Sequence, residues 1–279
     1  MTLYISDLDG TLLNAEPRLS EETLLTINRL IDEGMQFTIA TARSWDSAHP
    51  LIAPLCLQQP LILHNGVFIY DPMKEKNIIE NVINDRLARD LLRDAAEFRL
   101  NPIVFAITPD SQRKVYYQGV FNHGEAIYIE DRLSKADQRF ALVSEYDSHP
   151  MAAALTVLLI GSKEELTPMF EKVIAEYDLT CHFAEDIYSK AYWLEITHRN
   201  ANKGWAVQYL KRYLNAAEVV CFGDHLNDLS MFDAADRKYA VENGHDTLKQ
   251  AATGVIASNL ANGVARFLSQ QFVAQQKMA

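Results

Sequence analysis

The strand–helix–strand rhythm of residues 3–43 constrains the fold of this chain more than any other feature. Leu3-Tyr4-Ile5 is a short β-prone run, and a polar connector leads from it into "SEETLLTINRLIDEGM". In that stretch Leu24, Ile27, Leu30 and Ile31 recur at helical spacing, Ser20 stands where an N-cap is needed and Gly34 where a helix stops. "QFTIATAR" then reads as a second strand. A strand, a helix and a strand at this spacing form a βαβ unit, so the two strands are expected to lie parallel and adjacent. In a parallel sheet the loops at the carboxyl ends share one rim, and ligands bind there.

The rest of the chain extends that pattern and then breaks it. "LILHNGVFIYD" supplies two more short strand-like pieces. Near residue 80 the texture changes to the charged amphipathic helix "NDRLARDLLRDAAEFRL". Strand-like "NPIVFAITPD", "RKVYYQG" and "AAALTVLLIGS" follow, then the helix "KEELTPMFEKVIAEYD", then strand-like "LTCHFAED" and "SKAYWLEITH". Strands clustered around two helices predict an α+β insert with an antiparallel sheet over residues 81–192. From 193 to 279 the alternation of strand and helix resumes, so residues 1–80 and 193–279 are expected to form one α/β core with a Rossmann-like parallel sheet.

Composition narrows the partners. The chain has 279 residues, 48% of them hydrophobic, enough for a large core in one or two domains. A net charge of −11 argues against nucleic acid and anionic membrane, both of which require a basic surface, but not against a small anionic substrate. Cys56, Cys181 and Cys221 are scattered and predict reduced core thiols in a cytoplasmic protein. No apolar run is long enough to span a bilayer, and no signal peptide is visible. Oligomeric state is not legible.

The polar residues at the strand ends carry the chemistry. "YISDLDGTLL" closes the first strand on Asp7 and Asp9, Thr41 closes the second, and Asp224 closes "EVVCFGD". Carboxylates gathered in one crevice repel each other; a hard divalent cation such as Mg²⁺, which prefers a few carboxylates, water and a phosphate, removes the conflict. Asp7 can then serve as a nucleophile, and Asp9 can give and take a proton. A plain turn at Asp9-Gly10 explains the bare motif equally well. Thr41 is placed to hold a phosphate oxygen, or it or Ser44 simply caps a helix. Lys203, in the first turn of "NKGWAVQYLKRYL", opposes the helix dipole and sits beside the poor helix former Gly204. That conflict fits a lysine aimed at phosphate and Asp7; a solvated surface lysine is the alternative. In "GDHLNDLSMF", Asp224 and Asp228 are four apart and share a helix face. Asp224 is the expected metal ligand, with Asn227 and Asp228 touching the ion or bracing what does; the ordinary preference of acidic residues for a helix N-terminus is the alternative, and it explains Asp224 better than Asp228. Arg43 reads as a salt-bridge residue near the site. His64 and His225 fall near the rim, where a structural role suffices for each, and Trp45, Trp193 and Trp205 read as packing residues.

Taken together, these pieces resemble the haloacid-dehalogenase-like (HAD) superfamily. "DLDGT" is similar to its first motif, Thr41 in "IATAR" to the second, Lys203 to the third and "GDHLND" to the fourth. "HNG" at 64–66, the C-terminal segment "ENGHDTLKQAATGVIASNLANGVARFL" and the large insert resemble the Cof-type phosphatase branch. The resemblance implies that Asp7 is the nucleophile and a Mg²⁺ ligand. Asp9 is then the general acid/base, with its backbone carbonyl on the metal, and Asp224 and Asp228 complete the metal set. Thr41, Ala42, Asn65, Gly66, Lys203 and Asn227 are the implied phosphate- or substrate-binding positions. The insert becomes a cap domain that selects the leaving group, with Tyr116, Tyr117, His123, Tyr188 and Tyr192 as unranked contacts, and the substrate a small phosphorylated metabolite such as a sugar phosphate. Ala42 departs from the branch, which usually has glycine there. A phosphomutase or phosphotransferase uses the same residues, and a non-catalytic ligand-binding protein on the same fold is the third possibility.

Overall fold

The computed structural model describes residues 1–186 and 190–276. The chain divides into two compact units, Met1–Glu80 with Asn200–Ala279, and Asn81–Arg199.

The first unit begins with β1 (Thr2–Ser6), α1 (Glu21–Asp32), β2 (Gln36–Ile39), α2 (Trp45–Ile52), β3 (Leu61–Leu63), β4 (Phe68–Asp71) and β5 (Lys76–Glu80). Ser20 caps α1 by accepting the Thr23 N–H at 3.0 Å, as its position predicts. β1 and β2 pair in parallel, with Ile5 opposite Thr38. β3, β4 and β5 form a separate antiparallel sheet.

The second unit contains β6 (Ile83–Asn84), α3 (Asp85–Glu97), β7 (Ile103–Ile107), β8 (Arg113–Tyr117), α4 (His123–Ser134), β9 (Phe140–Leu142), β10 (Ala153–Gly161), α5 (Lys163–Glu176), β11 (Leu179–Glu185) and β12 (Tyr192–His198). Its sheet runs β11-β12-β10-β7-β8-β9, with β6 also on β10, and is antiparallel except between β8 and β9. The core containing Leu91 of α3, Leu166 of α5 and Leu194 and Ile196 of β12 lies on one face, and the smaller cluster around Ile129 of α4 on the other. Two differences from the sequence reading stand out. A boundary at 192 cuts off β12, but β12 pairs along its length with β10 and β11, so the unit extends to Arg199. α4 is a third helix that periodicity does not reveal, because Ile127 and Leu133 face solvent while Gly124 and Glu125 are buried.

The first unit resumes with α6 (Lys203–Tyr213), β13 (Glu218–Gly223), α7 (Leu229–Ala234), β14 (Arg237–Val241), α8 (Asp246–Ala251), β15 (Gly254–Ile256) and α9 (Gly263–Gln276). Its parallel sheet has the order β15-β14-β13-β1-β2. β1 therefore sits between β2, which follows it, and β13, which arrives from the far end of the chain. Strand order reverses there, and the reversal opens a crevice at the carboxyl ends. Leu3, Ile5, Val219 and Cys221 are buried on these strands. Cys221 is thus the core thiol expected, but Cys56 is exposed and Cys181 half-buried, so the reading of all three as core does not hold. Among the described residues, no helix is long and apolar enough to cross a membrane.

Candidate active site

The expected site residues converge within the first unit, at the carboxyl ends of β1 and β13. Asp7 follows β1, and its N–H donates to the Phe222 carbonyl at 2.9 Å, extending the parallel ladder by one residue. That bond fixes the backbone from which the buried Asp7 carboxylate projects. Lys203 opens α6, which Asn202 caps by accepting the Trp205 N–H at 2.8 Å. Lys203 is 1% exposed, and its ammonium donates to Asp7 Oδ1 at 2.6 Å and to Asp228 Oδ1 at 2.7 Å. A cation at a helix N-terminus is unfavourable locally, and here two buried carboxylates outweigh that penalty. Gly204 has a packing reason: a Cβ there would lie 2.3 Å from the Ser230 carbonyl oxygen, so only glycine lets α6 lie this close to α7.

Asp224 follows β13. Thr11 donates to its Oδ1 at 2.7 Å, and the α-carbon of Gly10 faces the same carboxylate, where a Cβ would come within 2.3 Å of Oδ2. Gly10 also has φ +76°, so both conformation and space require glycine. The second oxygen of Asp228 accepts the N–H groups of Asp224 at 3.0 Å and His225 at 3.1 Å. Asp228 therefore joins Lys203 to the loop that carries Asp224.

Asp7, Asp224 and Asp228 each offer an oxygen within 4.8 Å of the others. One ammonium faces these three carboxylates, so negative charge is in excess. Burial, opposed by Lys203 and reinforced by Asp228, pushes the Asp7 carboxyl up to about 8. Burial also raises Asp224, against the Thr11 hydrogen bond. Burial works against the Lys203 ammonium, but Asp7 and Asp228 outweigh it and hold the lysine protonated. Hard oxygen donors with excess negative charge suit a divalent cation of the Mg²⁺ kind rather than a soft metal.

Asp9 stands outside this group. Its half-exposed carboxylate takes a two-pronged contact from Arg43, Nε to Oδ2 at 2.7 Å and Nη2 to Oδ1 at 2.6 Å, and Arg43 is held in turn by Ser47 at 3.0 Å. Arg43 is thus the salt-bridge residue near the site that the sequence predicts, with Asp9 as its partner. Thr11 is a site residue that the sequence did not reveal, because its partner Asp224 is distant in the chain. Thr41 is buried, its N–H donates to Ile62 and its hydroxyl oxygen accepts the Arg43 N–H at 3.1 Å. The cap of α2 is Ser44, not Thr41. Ala42 is exposed and outside the left-handed region, so its methyl imposes no backbone strain. The left-handed turn His64-Asn65-Gly66 is tied to this loop by His64 N–H to Arg43 O at 3.0 Å and Asn65 N–H to Thr41 O at 2.9 Å. Asn227 Nδ2 donates to Asn65 Oδ1 at 3.2 Å, which brings those two expected binding residues together.

A family model for haloacid dehalogenase-like hydrolases matches residues 4–268. This chain belongs to that family. The family match agrees with the parallel-sheet core and the inserted α+β unit. The chain is 28% identical over 274 residues to the 5-amino-6-(5-phospho-D-ribitylamino)uracil phosphatase YitU of Bacillus subtilis, covering 97% of each protein. It is 27% identical to the HMP-PP phosphatase of Serratia proteamaculans, over 87% of this chain and 84% of that one. A solved haloacid dehalogenase-like hydrolase from B. subtilis superposes with a TM-score of 0.69 at 25% identity, covering 96% of this chain and 98% of that one.

Proposed function

We propose that this hydrolase is a Mg²⁺-dependent phosphatase that cleaves a small phosphomonoester through a phosphorylated Asp7. The observation that carries this reading is the buried Asp7 carboxylate, held by Lys203 inside a group of three carboxylates at the sheet's point of reversal. The named activities of the relatives support it at the level of phosphorylated small molecules.

Asp7 and Asp224 would hold the ion, with Asp228 and the Asp9 carbonyl as further ligands. When bound, Mg²⁺ supplies the positive charge that keeps Asp7 ionised and neutralises phosphoryl oxygens. Lys203, Thr41 and the turn at Ala42, Asn65 and Gly66 hold the transferring group, joined by Asn227. An Asp7 oxygen attacks phosphorus while the bond to the leaving oxygen breaks, and Asp9 donates the proton that oxygen needs. Water then attacks the phosphoaspartate, Asp9 takes its proton, and the bond to Asp7 breaks to release inorganic phosphate. We assign choice of the leaving group to the second unit.

Purified protein with Mg²⁺ should release inorganic phosphate from p-nitrophenyl phosphate and from hexose phosphates, and a chelator should stop it. No release, or conversion of hexose phosphates only to isomers, would overturn the hydrolytic reading.

A further inference from the structure

A cavity of ≈ 190 Å³ lies within the first unit, between α2 and the hairpin of β3 and β4, and shares no residue with the three carboxylates at the strand ends. Its floor is apolar: Ile52 of α2 and Leu61 of β3 are 3% and 1% exposed. Its wall is a run of three rings. Trp45, in the first turn of α2, lies 4.6 Å from the His49 ring one turn on and 4.1 Å from the Tyr70 ring of β4. An engineered cavity of about 150 Å³ holds benzene, so this one takes a single ring or a short hydrocarbon.

The rim supplies a charge. Glu75 is exposed, lines the cavity and belongs to the turn that joins β4 to β5. Its φ of +52° is a left-handed conformation that favours glycine, so a glutamate there bears a local cost. The turn itself does not use the side chain. Among the described residues no ion pair or hydrogen bond reaches Glu75, and the neighbouring Lys74 turns instead to Asp71 at 2.9 Å and to the Tyr213 hydroxyl of α6 at 3.2 Å. The charge is nevertheless felt in the cavity: burial, with Glu75 and Asp71, raises the Tyr70 hydroxyl above its ordinary value. No lysine or arginine lines the space. An apolar floor, electron-rich rings and one unanswered carboxylate complement a cation that carries hydrocarbon.

We infer that this cavity is a binding site for a small organic cation, an amine borne on one ring or a short hydrocarbon. The hydrocarbon rests on Ile52 and Leu61 beside the Trp45 and Tyr70 rings, and the ammonium meets Glu75. The site stands independently of the phosphatase reading.

The test is calorimetric titration of the whole protein with benzylamine, benzyl alcohol and benzoate, which share one ring and nearly one size but are positive, neutral and negative. Mg²⁺ is present throughout to keep the amine off the carboxylates around Asp7. Benzylamine should bind one-to-one and about three- to tenfold more tightly than benzyl alcohol, because an exposed ion pair and a cation–ring contact each add modestly. Benzoate should give no heat. Glu75→Gln should bring benzylamine down to the affinity of benzyl alcohol. Ala53→Phe, which fills the cavity from an exposed lining position, should abolish binding of both. Both substitutions fall on exposed residues, so both variants should unfold at the parent's temperature. No binding of benzylamine by the parent, or binding unchanged in Ala53→Phe, overturns the site. Equal affinity for the three probes, or a preference for the amine that survives Glu75→Gln, overturns its cationic class.

Discussion

Arg43 and Asp9 show what a pair of side chains can do that neither does alone. The guanidinium grips both carboxylate oxygens and is itself fixed by Ser47, so Asp9 is held at one place on the rim. A proton-transfer group contributes about 10²–10⁴-fold to rate when correctly placed. Arg43→Ala should lower kcat roughly 10- to 100-fold in a steady-state assay while the fold is unchanged, because the hydroxyl and backbone contacts of Thr41 survive. Arg43→Lys should recover only part, since an ammonium cannot make the two-pronged contact. Equal kcat in all three proteins would remove Arg43 from any positioning role. The sequence shows Arg43 two residues after Thr41 but not its partner, which lies on the preceding strand's loop. Asp7, Lys203 and Asp224 were legible for the opposite reason: each breaks a local rule, through like charges at one strand end or a cation at a helix start, and only a shared site reconciles them.

At the scale of elements, α6 brings Lys203 to Asp7 because it packs closely against α7. Gly204→Ala improves helix propensity by about 1 kcal/mol. The added Cβ, however, would lie 2.3 Å from the Ser230 carbonyl oxygen. Overpacking of this kind costs about 1–3 kcal/mol, so the net effect in urea unfolding should be destabilising, with activity falling as α6 shifts. A more stable, fully active variant would contradict the close packing. β13 and β14 are linked by Glu218 and Arg237, at 2.6 and 2.9 Å. The Arg237 hydrogen bond lowers the Glu218 carboxyl below its ordinary 4.5. A depressed carboxyl stabilises the fold above the unfolded value and loses that contribution as pH falls through the folded one. Glu218→Gln should therefore be less stable than the parent at pH 7, and the gap should close below about pH 4.5. A gap independent of pH would rule out the ion pair as its source. Elements were legible where periodicity was clean, as in β1, α1 and β2. α4 and the exact end of the insert were not, because exposed apolar residues blur the helical stripe and nothing local within "SKAYWLEITH" marks where its strand, β12, gives way to the core.

For the molecule as a whole, the order of strands explains why residues more than two hundred positions apart meet. The return of the chain to β13 beside β1 sets Asp224 against Asp7, and the long insert between them is accommodated because its first and last strands, β6 and β12, both pair with β10 in one sheet. The sequence could announce a core interrupted and then completed, since the alternation stops and resumes. It could not announce that β3 keeps only an isolated parallel bridge to β2, between Ala40 and Ile62, and pairs antiparallel with β4, because short apolar runs carry no direction. Phosphatase action at this site requires Asp7 to carry the phosphoryl group. Its most direct measurement is acid-quenched turnover of p-nitrophenyl phosphate in the presence of Mg²⁺, followed by mass spectrometry of the trapped enzyme. One phosphoryl group on Asp7 is expected in the parent, with neither adduct nor turnover in Asp7→Asn; normal turnover by that variant, or a phosphoryl group on another residue, would contradict a nucleophilic Asp7.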